Sequence, residues 1–368
     1  MNVREVSVAS SSGSYPVVVA HEGLSGFPDR VRTALNDAPC YVISDRRVGR
    51  LYAAGLAEKL KAPWLQLPEG ESMKTVSTLA EVAEWLAGQG LERGHGVVAV
   101  GGGVVTDIAG LAASVILRGV PWVAVPTTLL AMVDAAIGGK TGVDLTAGKN
   151  LVGSFWAPKA VLVDPAVLVT LEPRQLRSGL MEVVKAALIS PFHLESTIDR
   201  SLGKLANGSL EDAAELVVQA VRAKADVVSA DEREEGTRAA LNLGHSLGHA
   251  LEAATDYRLF LHGEAVGWGL LAALRLARDR GLLSTEEAMR WAGRLQILAP
   301  LPPVSLIHWE ALRPFLSRDK KRSGGANRWV LPRPGGVALG ISVPDSEVAE
   351  VYGDLQALTA SGQFTSLF

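Results

Sequence analysis

Three histidines in one short window are the residues of this chain best suited to chemistry. His245 and His249 stand four residues apart in LNLGHSLGHALE, and His262 follows in LHGEAV, although the whole chain contains only seven histidines. On a helix, residues four apart share a face, so the spacing alone predicts that His245 and His249 bind one metal ion together. The alternative to a metal site is a buried histidine hydrogen-bonded within the core. This alternative explains any one of the three histidines but explains all three together poorly. The spacing leaves open whether the first two share a metal or do different work.

A carboxylate that could complete a metal site occurs in SGLMEVVKAALI (178–189). Glu182 and Lys185 are three residues apart and share one face of an otherwise apolar helix. Mixed histidine and carboxylate ligation favours zinc, and a catalytic zinc keeps three protein ligands and an open position. The alternative for this pair is a partly buried salt bridge.

A glycine-rich turn offers a second site of a different kind. In VVAVGGGVVTDIAG (97–110) a buried strand runs into three glycines and then into a helix. Glycine lets the backbone approach a ligand closely, and a helix N-terminus presents free N–H groups to a phosphate. The segment is not the GxGxxG fingerprint, because Thr106 stands where the third glycine would fall. We therefore expect a nucleotide pyrophosphate here, with a tight turn that binds no ligand as the alternative.

Further polar residues follow other predicted strands. Asp45 ends CYVISD, PEGESMK contains Glu71 and Lys74, and PTTLL contains Thr127 and Thr128. Each alone is typical of a turn or cap. Together they match the carboxyl edge of an α/β sheet, where ligands bind.

A lysine-bearing segment rich in glycine follows, AMVDAAIGGKTGVDLTAGKN (131–150). It carries Asp134, Lys140, Lys149 and Asn150 and is too apolar for an ordinary solvated loop, so we expect it to contact an anion. Arg118, in ILRGV, either joins this group or serves as a helix C-terminal cation.

The elements that must position these residues alternate in the first half and are mostly helical in the second. The predicted strands are EVSVAS, YPVVVA, CYVISD, WLQLP, GVVAVGG, WVAVPT and AVLVDP, with helical segments at 46–61, 73–90 and 104–117. After Leu171 come helical segments 174–190, 210–231, 237–255, 263–280 and 284–297, interrupted by a β-like piece near 328–343. The pattern predicts an α/β, Rossmann-like nucleotide-binding domain with a mostly parallel sheet over 1–171. An all-α, metal- and substrate-binding domain is expected over 172–368.

Composition excludes several classes of function. The chain has 368 residues, 48% of them hydrophobic, and a net charge of −3, which is unlike a nucleic-acid-binding protein. The apolar stretch 96–117 contains Asp107 and five glycines, so we expect no membrane span. The one cysteine, Cys40, lies in an apolar run and is expected to be a buried thiol. Without an apolar segment at the N-terminus, no signal peptide is indicated, and we expect a cytoplasmic protein.

Seven motifs occur together in the order typical of 3-dehydroquinate synthases, which belong to the sugar-phosphate cyclases. They are GGGVVTDIAG, PTTLLAMVDAAIGGKTGVD, GKN, MEVVK, LNLGHSLGHALE, LHGEAV and RDKK, and the resemblance extends from about residue 40 to 330. It implies an active site in the cleft between the two domains, NAD, a divalent metal (Zn²⁺, with Co²⁺ as a substitute) and a homodimer. The implied reaction converts 3-deoxy-D-arabino-heptulosonate 7-phosphate to 3-dehydroquinate and phosphate in the shikimate pathway. It proceeds by transient oxidation, phosphate elimination, reduction, ring opening and aldol closure.

The resemblance also assigns residues. The implied metal ligands are Glu182, His245 and His262, which leaves His249 on the substrate side. The implied NAD-binding residues are Asp45, Glu69, Gly70, Glu71, Lys74, Gly103, Val104, Val105, Asp107, Thr127, Thr128, Lys140, Lys149 and a strand end formed by Val167, Leu168, Val169 and Thr170. The implied substrate contacts are Asp134, Lys140, Asn150, Lys185, Lys224, Arg238, Asn242, His249, one of Lys320 and Lys321, and Arg118, which is expected to reach the phosphate of the neighbouring subunit.

Three alternatives stay open. One is a cyclase for another sugar phosphate that makes an inosose or a valiolone, although Lys224, Arg238, Asn242, His249 and the DKK lysines favour a substrate with a carboxylate. Another is a metal-dependent polyol dehydrogenase that turns over free NAD. The third is a catalytically silent NAD-binding or scaffold protein, which the retained metal and cation positions disfavour.

Overall fold

The chain divides into two compact units. A computed structural model describes residues 3–21, 24, 26–316, 327–358 and 363–368. The first unit comprises Met1–Leu171 and Ala213–Glu232, and the second comprises Glu172–Asp212 and Arg233–Phe368. None of the helices in these ranges combines the length and hydropathy that crossing a bilayer requires.

The strands are β1 Arg4–Ser10, β2 Gly13–Val19, β3 Cys40–Asp45, β4 Trp64–Leu67, β5 Gly96–Gly101, β6 Trp122–Pro126, β7 Lys140–Leu145, β8 Gly148–Phe155, β9 Ala160–Val163, β10 Asn327–Arg333 and β11 Gly336–Val343. The helices are α1 Phe27–Ala34, α2 Arg46–Val48, α3 Ala54–Leu60, α4 Val76–Gly88, α5 Gly103–Val115, α6 Pro173–Ile189, α7 Pro191–Ala206, α8 Ala213–Ala230, α9 His245–Ala254, α10 His262–Asp279, α11 Thr285–Gln296, α12 Trp309–Leu316 and α13 Asp345–Ala357.

The first unit is built on a seven-stranded sheet in the order β1-β2-β9-β6-β5-β3-β4. Only β1 and β2 pair antiparallel in it; the other neighbouring strands are parallel. The central strands β5, β6 and β9 are buried along their whole length, as expected where helices cover both faces. Edge strand β1 alternates exposed and buried residues. All seven predicted strands are present, so the Rossmann-like fold class is confirmed.

Two elements of the first unit differ from the prediction. The glycine-rich segment around Lys140, for which no secondary structure was predicted, is an antiparallel hairpin of β7 and β8. Helix α8, which we assigned to the second domain, lies in the first unit. It packs on β1, where the N–H of Ala9 donates to Ser229 Oγ at 3.0 Å. The amphipathic pattern of α8 predicts a helix but does not say which surface its apolar face covers.

The second unit is mainly helical, with α9 and α10 packed on each other and α10 also packed on α6. It is not all-α, because β10 and β11 form an antiparallel hairpin where the sequence shows its late β-like piece. The predicted helix 237–255 is interrupted: a 3-10 helix, Thr237–Asn242, ends before Gly244, and α9 begins at His245. Gly244 has φ +79°, a left-handed conformation that glycine adopts without strain.

Candidate active site

The three predicted metal ligands converge in the helical unit. Glu182 lies in α6, His245 is the first residue of α9 and His262 is the first residue of α10. One ligand atom from each of the three lies within 4.8 Å of the other two. His262 Nε2 is 3.5 Å from Glu182 Oε1, close to the edge of about 3.3 Å expected for a tetrahedron with zinc–ligand bonds of 2.0–2.1 Å. Two imidazoles and one carboxylate thus fit a divalent metal in both type and spacing.

Close backbone contacts between helices bring these ligands together. A Cβ on Gly263 would lie 1.9 Å from the carbonyl oxygen of Ser178 in α6, so only glycine allows this approach. The N–H of Gly263 donates to Ser178 Oγ at 3.0 Å. On the same helix, a Cβ on Gly269 would lie 1.8 Å from the carbonyl oxygen of Gly244. Therefore the start of α10 is held against α6 on one side and against the start of α9 on the other.

Electrostatics differ between the two ligand histidines. Burial, aided by the charge of Lys185, holds the pKa of His245 well below its usual value, so its imidazole is neutral and able to ligate. Its Nδ1 lies 3.1 Å from the carbonyl oxygen of Leu243, which leaves Nε2 for a metal. Burial also disfavours protonation of His262, but the carboxylates of Glu252 and Glu182 outweigh it and raise the pKa to about 10. His262 must therefore release one proton when it binds a metal, as ligand histidines do.

His249 is adjacent to this group but exposed. Its ring centroid is 5.0 Å from that of His245 and 6.0 Å from that of His262. A second group, His249, Glu252 and His262, also has ligand atoms within 4.8 Å of one another. Among the described residues, neither group contains both His245 and His249. The spacing argument for a shared metal is therefore not supported by the geometry.

Lys185, Arg238 and Asn242, three predicted substrate residues, lie in the same unit as the metal group. Lys185 forms an ion pair with Glu182, and both side chains are almost fully buried. Arg238 is 1% exposed and lies in the 3-10 helix with Asn242, whose Nδ2 donates to Glu234. The sequence predicts one continuous helix through Asn242 and His245, but the structure places them in two separate helices. Glu234 was missed because the charged run DEREEGTR gives no sign of which carboxylate turns inward.

In the α/β unit, the glycine turn has the features of an anion site. Gly102 is the N-cap of α5, and no described side chain caps this helix end. A Cβ on Gly102 would lie 3.0 Å from Thr128 Cγ2, and a Cβ on Gly103 would lie 3.3 Å from Ala135 Cβ. Thr127, at the end of β6, is 5% exposed, and its hydroxyl has no hydrogen-bond partner in the described chain. A bound polar ligand would satisfy that hydroxyl. Val104 and Val105 form the first turn of α5.

A buried ion pair lies next to this turn. Lys74 Nζ is 2.5 Å from Asp107 Oδ2 in α5. Burial disfavours the charge on Lys74, but the carboxylates of Asp107 and Glu71 more than offset it and raise the lysine pKa. Burial raises the pKa of Asp107 in spite of the Lys74 charge. The Lys74 carbonyl also accepts from the N–H of Asp144, which ties this loop to β7.

The other predicted cofactor residues lie in turns of the same unit. Asp45 caps α2, where Oδ1 accepts from the Val48 N–H at 2.8 Å, and burial raises its pKa. Glu69 and Gly70 follow β4, and Gly70 has φ +103°. Glu71 pairs with Lys149 at 3.0 Å. Thr128 Oγ1 accepts from the Ala131 N–H at 3.2 Å.

One predicted cofactor segment has a different structure from the one expected. Val167, Leu168, Val169 and Thr170 do not end a strand, because β9 stops at Val163 and these residues belong to a 3-10 helix, Pro165–Thr170. Asp164 caps this helix by accepting from the Ala166 N–H, and Pro165 begins it. Val169 is 77% exposed.

The remaining predicted substrate residues are placed as follows. Lys140 begins β7 and is exposed, and Asn150 lies in β8 with φ +54°. Asp134 forms an ion pair with Lys224 of α8 within the first unit. Arg118 is exposed at the end of a 3-10 turn after α5, with φ +66°. Lys320 and Lys321 lie outside the described residues.

Comparisons with known proteins place this chain in a family. Two family models match consecutive parts of the chain: "3-dehydroquinate synthase N-terminal" over residues 64–178 and "3-dehydroquinate synthase C-terminal" over residues 179–322. A curated 3-dehydroquinate synthase from Koribacter versatilis is 38% identical over 367 residues, which is 98% of this chain and 100% of the relative.

Solved structures of two sugar-phosphate cyclases are also similar to this chain. A 2-deoxy-scyllo-inosose synthase complexed with carbaglucose-6-phosphate, NAD⁺ and Co²⁺ has a TM-score of 0.85 at 27% identity, covering 95% of this chain and 99% of the other. A 2-epi-5-epi-valiolone synthase from Streptomyces hygroscopicus with NAD⁺ and Zn²⁺ bound has a TM-score of 0.84 at 31% identity, covering 95% and 98%.

Proposed function

The chain belongs to the 3-dehydroquinate synthase family, and from that premise we propose that it is a phosphate-eliminating lyase of the shikimate pathway. It converts 3-deoxy-D-arabino-heptulosonate 7-phosphate to 3-dehydroquinate and phosphate. The observation that carries the proposal is the convergence of Glu182, His245 and His262 on one point of the helical unit. Family membership supplies the substrate.

The metal and the cofactor are assigned to different units. Glu182, His245 and His262 hold a divalent metal, Zn²⁺ or Co²⁺, as the donor set and the spacing support. The glycine turn at the start of α5, the unsatisfied hydroxyl of Thr127 and the Lys74–Asp107 pair hold NAD. When bound, the metal lowers the pKa of a substrate hydroxyl, and NAD takes up a hydride and later returns it.

The chain's own residues bind and orient a substrate that carries a carboxylate and a phosphate. Lys185, Lys224 and Arg238 are each at most 8% exposed, so their charges act in a poorly solvated environment and attract an anion more strongly than surface cations do. Asn242 and His249 add hydrogen-bonding groups beside the metal ligands. Such fixed positioning supplies much of the catalysis when the bond changes occur within one bound molecule.

The leaving phosphate is proposed to meet an exposed cation and an exposed amide of the α/β unit. Lys140 at the start of β7 and Asn150 in β8 are suited to one side of this anion. We also propose a homodimer in which Arg118 reaches the phosphate bound by the neighbouring subunit. One lysine of RDKK, Lys320 or Lys321, completes the set of substrate contacts.

A second candidate is a cyclase for a sugar phosphate without a carboxylate. The similarity to solved inosose and valiolone synthases favours it, since those proteins share this fold over 95% of the chain. A polyol dehydrogenase is a weaker alternative and would accumulate NADH.

The test supplies the Zn²⁺-loaded protein and NAD with three substrates in separate reactions. We expect phosphate release from the heptulosonate 7-phosphate but not from glucose 6-phosphate, and no accumulation of NADH from a polyol such as glycerol. Release from glucose 6-phosphate alone would identify an inosose-type cyclase instead. NADH accumulation from glycerol without any phosphate release would identify a dehydrogenase.

A further inference from the structure

A buried carboxylate next to the metal group is not used by the proposed chemistry. Glu252 lies in the last turns of α9, and its side chain is 2% exposed. Burying a carboxylate is costly unless it is paired and hydrogen-bonded. Its Oε2 is 3.3 Å from Nδ1 of His262, a residue ten positions later and on a different helix. The position of Glu252 therefore calls for an explanation that involves His262.

The two nitrogens of His262 face two different carboxylates. Nε2 lies 3.5 Å from Glu182 Oε1, and Nδ1 lies 3.3 Å from Glu252 Oε2. A ring that donates its Nδ1–H to an acceptor keeps its lone pair on Nε2, on the side of Glu182 and His245. His245 shows the same arrangement, with its Nδ1 on the carbonyl oxygen of Leu243. Each ligand imidazole thus has an outer acceptor of its own.

We propose that Glu252 is a positioning residue, which accepts the Nδ1–H of His262 and so fixes the tautomer and ring plane in which Nε2 binds the metal. This inference rests on the proposed metal site. Carboxylates that accept from a ligand histidine make it more basic, and losing them typically costs about 10–100-fold in metal affinity. Glu252 also belongs to the alternative group with His249, in which it would itself bind the metal. The proposal excludes that role.

Two substitutions of different chemistry test the proposal. Glu252→Gln keeps the size and an amide oxygen that can accept a hydrogen bond, whereas Glu252→Met keeps the size and removes the acceptor. Zn²⁺ affinity is measured by competition with a chromogenic chelator, and the visible spectrum is recorded with Co²⁺. We expect affinity to fall about 10-fold in the Gln variant and about 100-fold in the Met variant. Thr255→Val is the matched control, since Thr255 lies just after α9 and its hydroxyl donates to the backbone carbonyls of Leu251 and Glu252; its affinity should equal that of the wild type.

The outcomes separate this inference from the function on which it rests. A wild-type protein that binds no Zn²⁺ would refute both. Wild-type binding with unchanged affinity in both Glu252 variants would refute the positioning role alone. A purely structural role would lower the thermal midpoint of the metal-free variants while leaving their affinity intact, and it too would contradict the proposal. Retention of metal in His245→Ala together with its complete loss in Glu252→Met would make Glu252 a ligand. Should the Met variant fail to fold, the Gln variant decides the question.

Discussion

Replacing Gly263 by alanine tests how the fold assembles the metal group. A Cβ at this position would stand 1.9 Å from the carbonyl oxygen of Ser178, whereas ordinary contact begins near 3.4 Å. The two backbones must therefore separate by about 1.5 Å, the difference between these distances. His262 is the preceding residue, and Glu182 lies one turn beyond Ser178 on α6. This separation therefore increases the distance between His262 Nε2 and Glu182 Oε1, now 3.5 Å, by nearly the same amount.

The expected result is a large loss of metal affinity in a protein that still folds. Disturbing the orientation of a metal ligand typically costs about 10–100-fold in affinity, and we expect a decrease in Zn²⁺ affinity of about 100-fold because the ligand itself moves. Overpacking should also lower the free energy of unfolding by about 1–3 kcal/mol. Chelator competition measures the first quantity, and denaturant unfolding of the metal-free protein measures the second.

Gly267→Ala is the matched control on the same helix. Its Cβ would meet Met181 Sδ at 3.0 Å and Leu301 Cδ1 at 3.3 Å, which are the ends of side chains that can shift. We expect this variant to bind Zn²⁺ as the wild type does. Equal affinities of Gly263→Ala and Gly267→Ala would refute the reasoning, because the close contact with α6 would then not set the ligand spacing.

Three further predictions follow from the described contacts. His245→Ala should lose bound metal in elemental analysis, whereas His249→Ala should retain it and turn over more slowly; loss of metal from the latter would overturn this division of roles. Lys74→Met should leave Asp107 buried without its cation, lowering the free energy of unfolding by about 3–5 kcal/mol and weakening NAD binding in calorimetry; unchanged values would contradict the assignment. Burial raises the pKa of the Cys40 thiol from 9.0 to about 11. Between these values the unfolded state loses the thiol proton while the folded state keeps it. The free energy of unfolding of the protein should therefore fall as pH rises from 9 through 11. At pH 8 a thiol reagent should label Cys40 only after unfolding, and rapid labelling of the native protein would show that the thiol is accessible.

The sheet was predictable because its strands are short apolar runs. CYVISD, GVVAVG and WVAVP are buried along their length, and such runs bounded by turn residues are typical of parallel strands covered on both faces. The β7–β8 hairpin was missed because its strands mix glycine, lysine and exposed apolar residues, so neither alternation nor a continuous apolar run is visible.

The types of the metal ligands could be predicted from the sequence, but the contacts that bring the ligands together could not. Concentrated histidines and a carboxylate on an apolar helix indicate ligand types, but helical spacing favoured His245 with His249. The structure instead brings His262 near both His245 and Glu182, through the contact of Gly269 with Gly244 and the contact of Gly263 with Ser178. Spacing within one helix carries no information about such contacts. Glu252 escaped notice for the same reason, since nothing local distinguishes a buried glutamate from a solvated one.

The most direct test of the central claim is a stoichiometric measurement with limiting NAD. The Zn²⁺-loaded protein receives an excess of the heptulosonate 7-phosphate and an amount of NAD far below that of the substrate, while phosphate, 3-dehydroquinate and NADH are followed together. The account predicts equal amounts of phosphate and 3-dehydroquinate, each far exceeding the NAD supplied, with no net accumulation of NADH. NADH that accumulates until NAD is exhausted, with no release of phosphate, would contradict it.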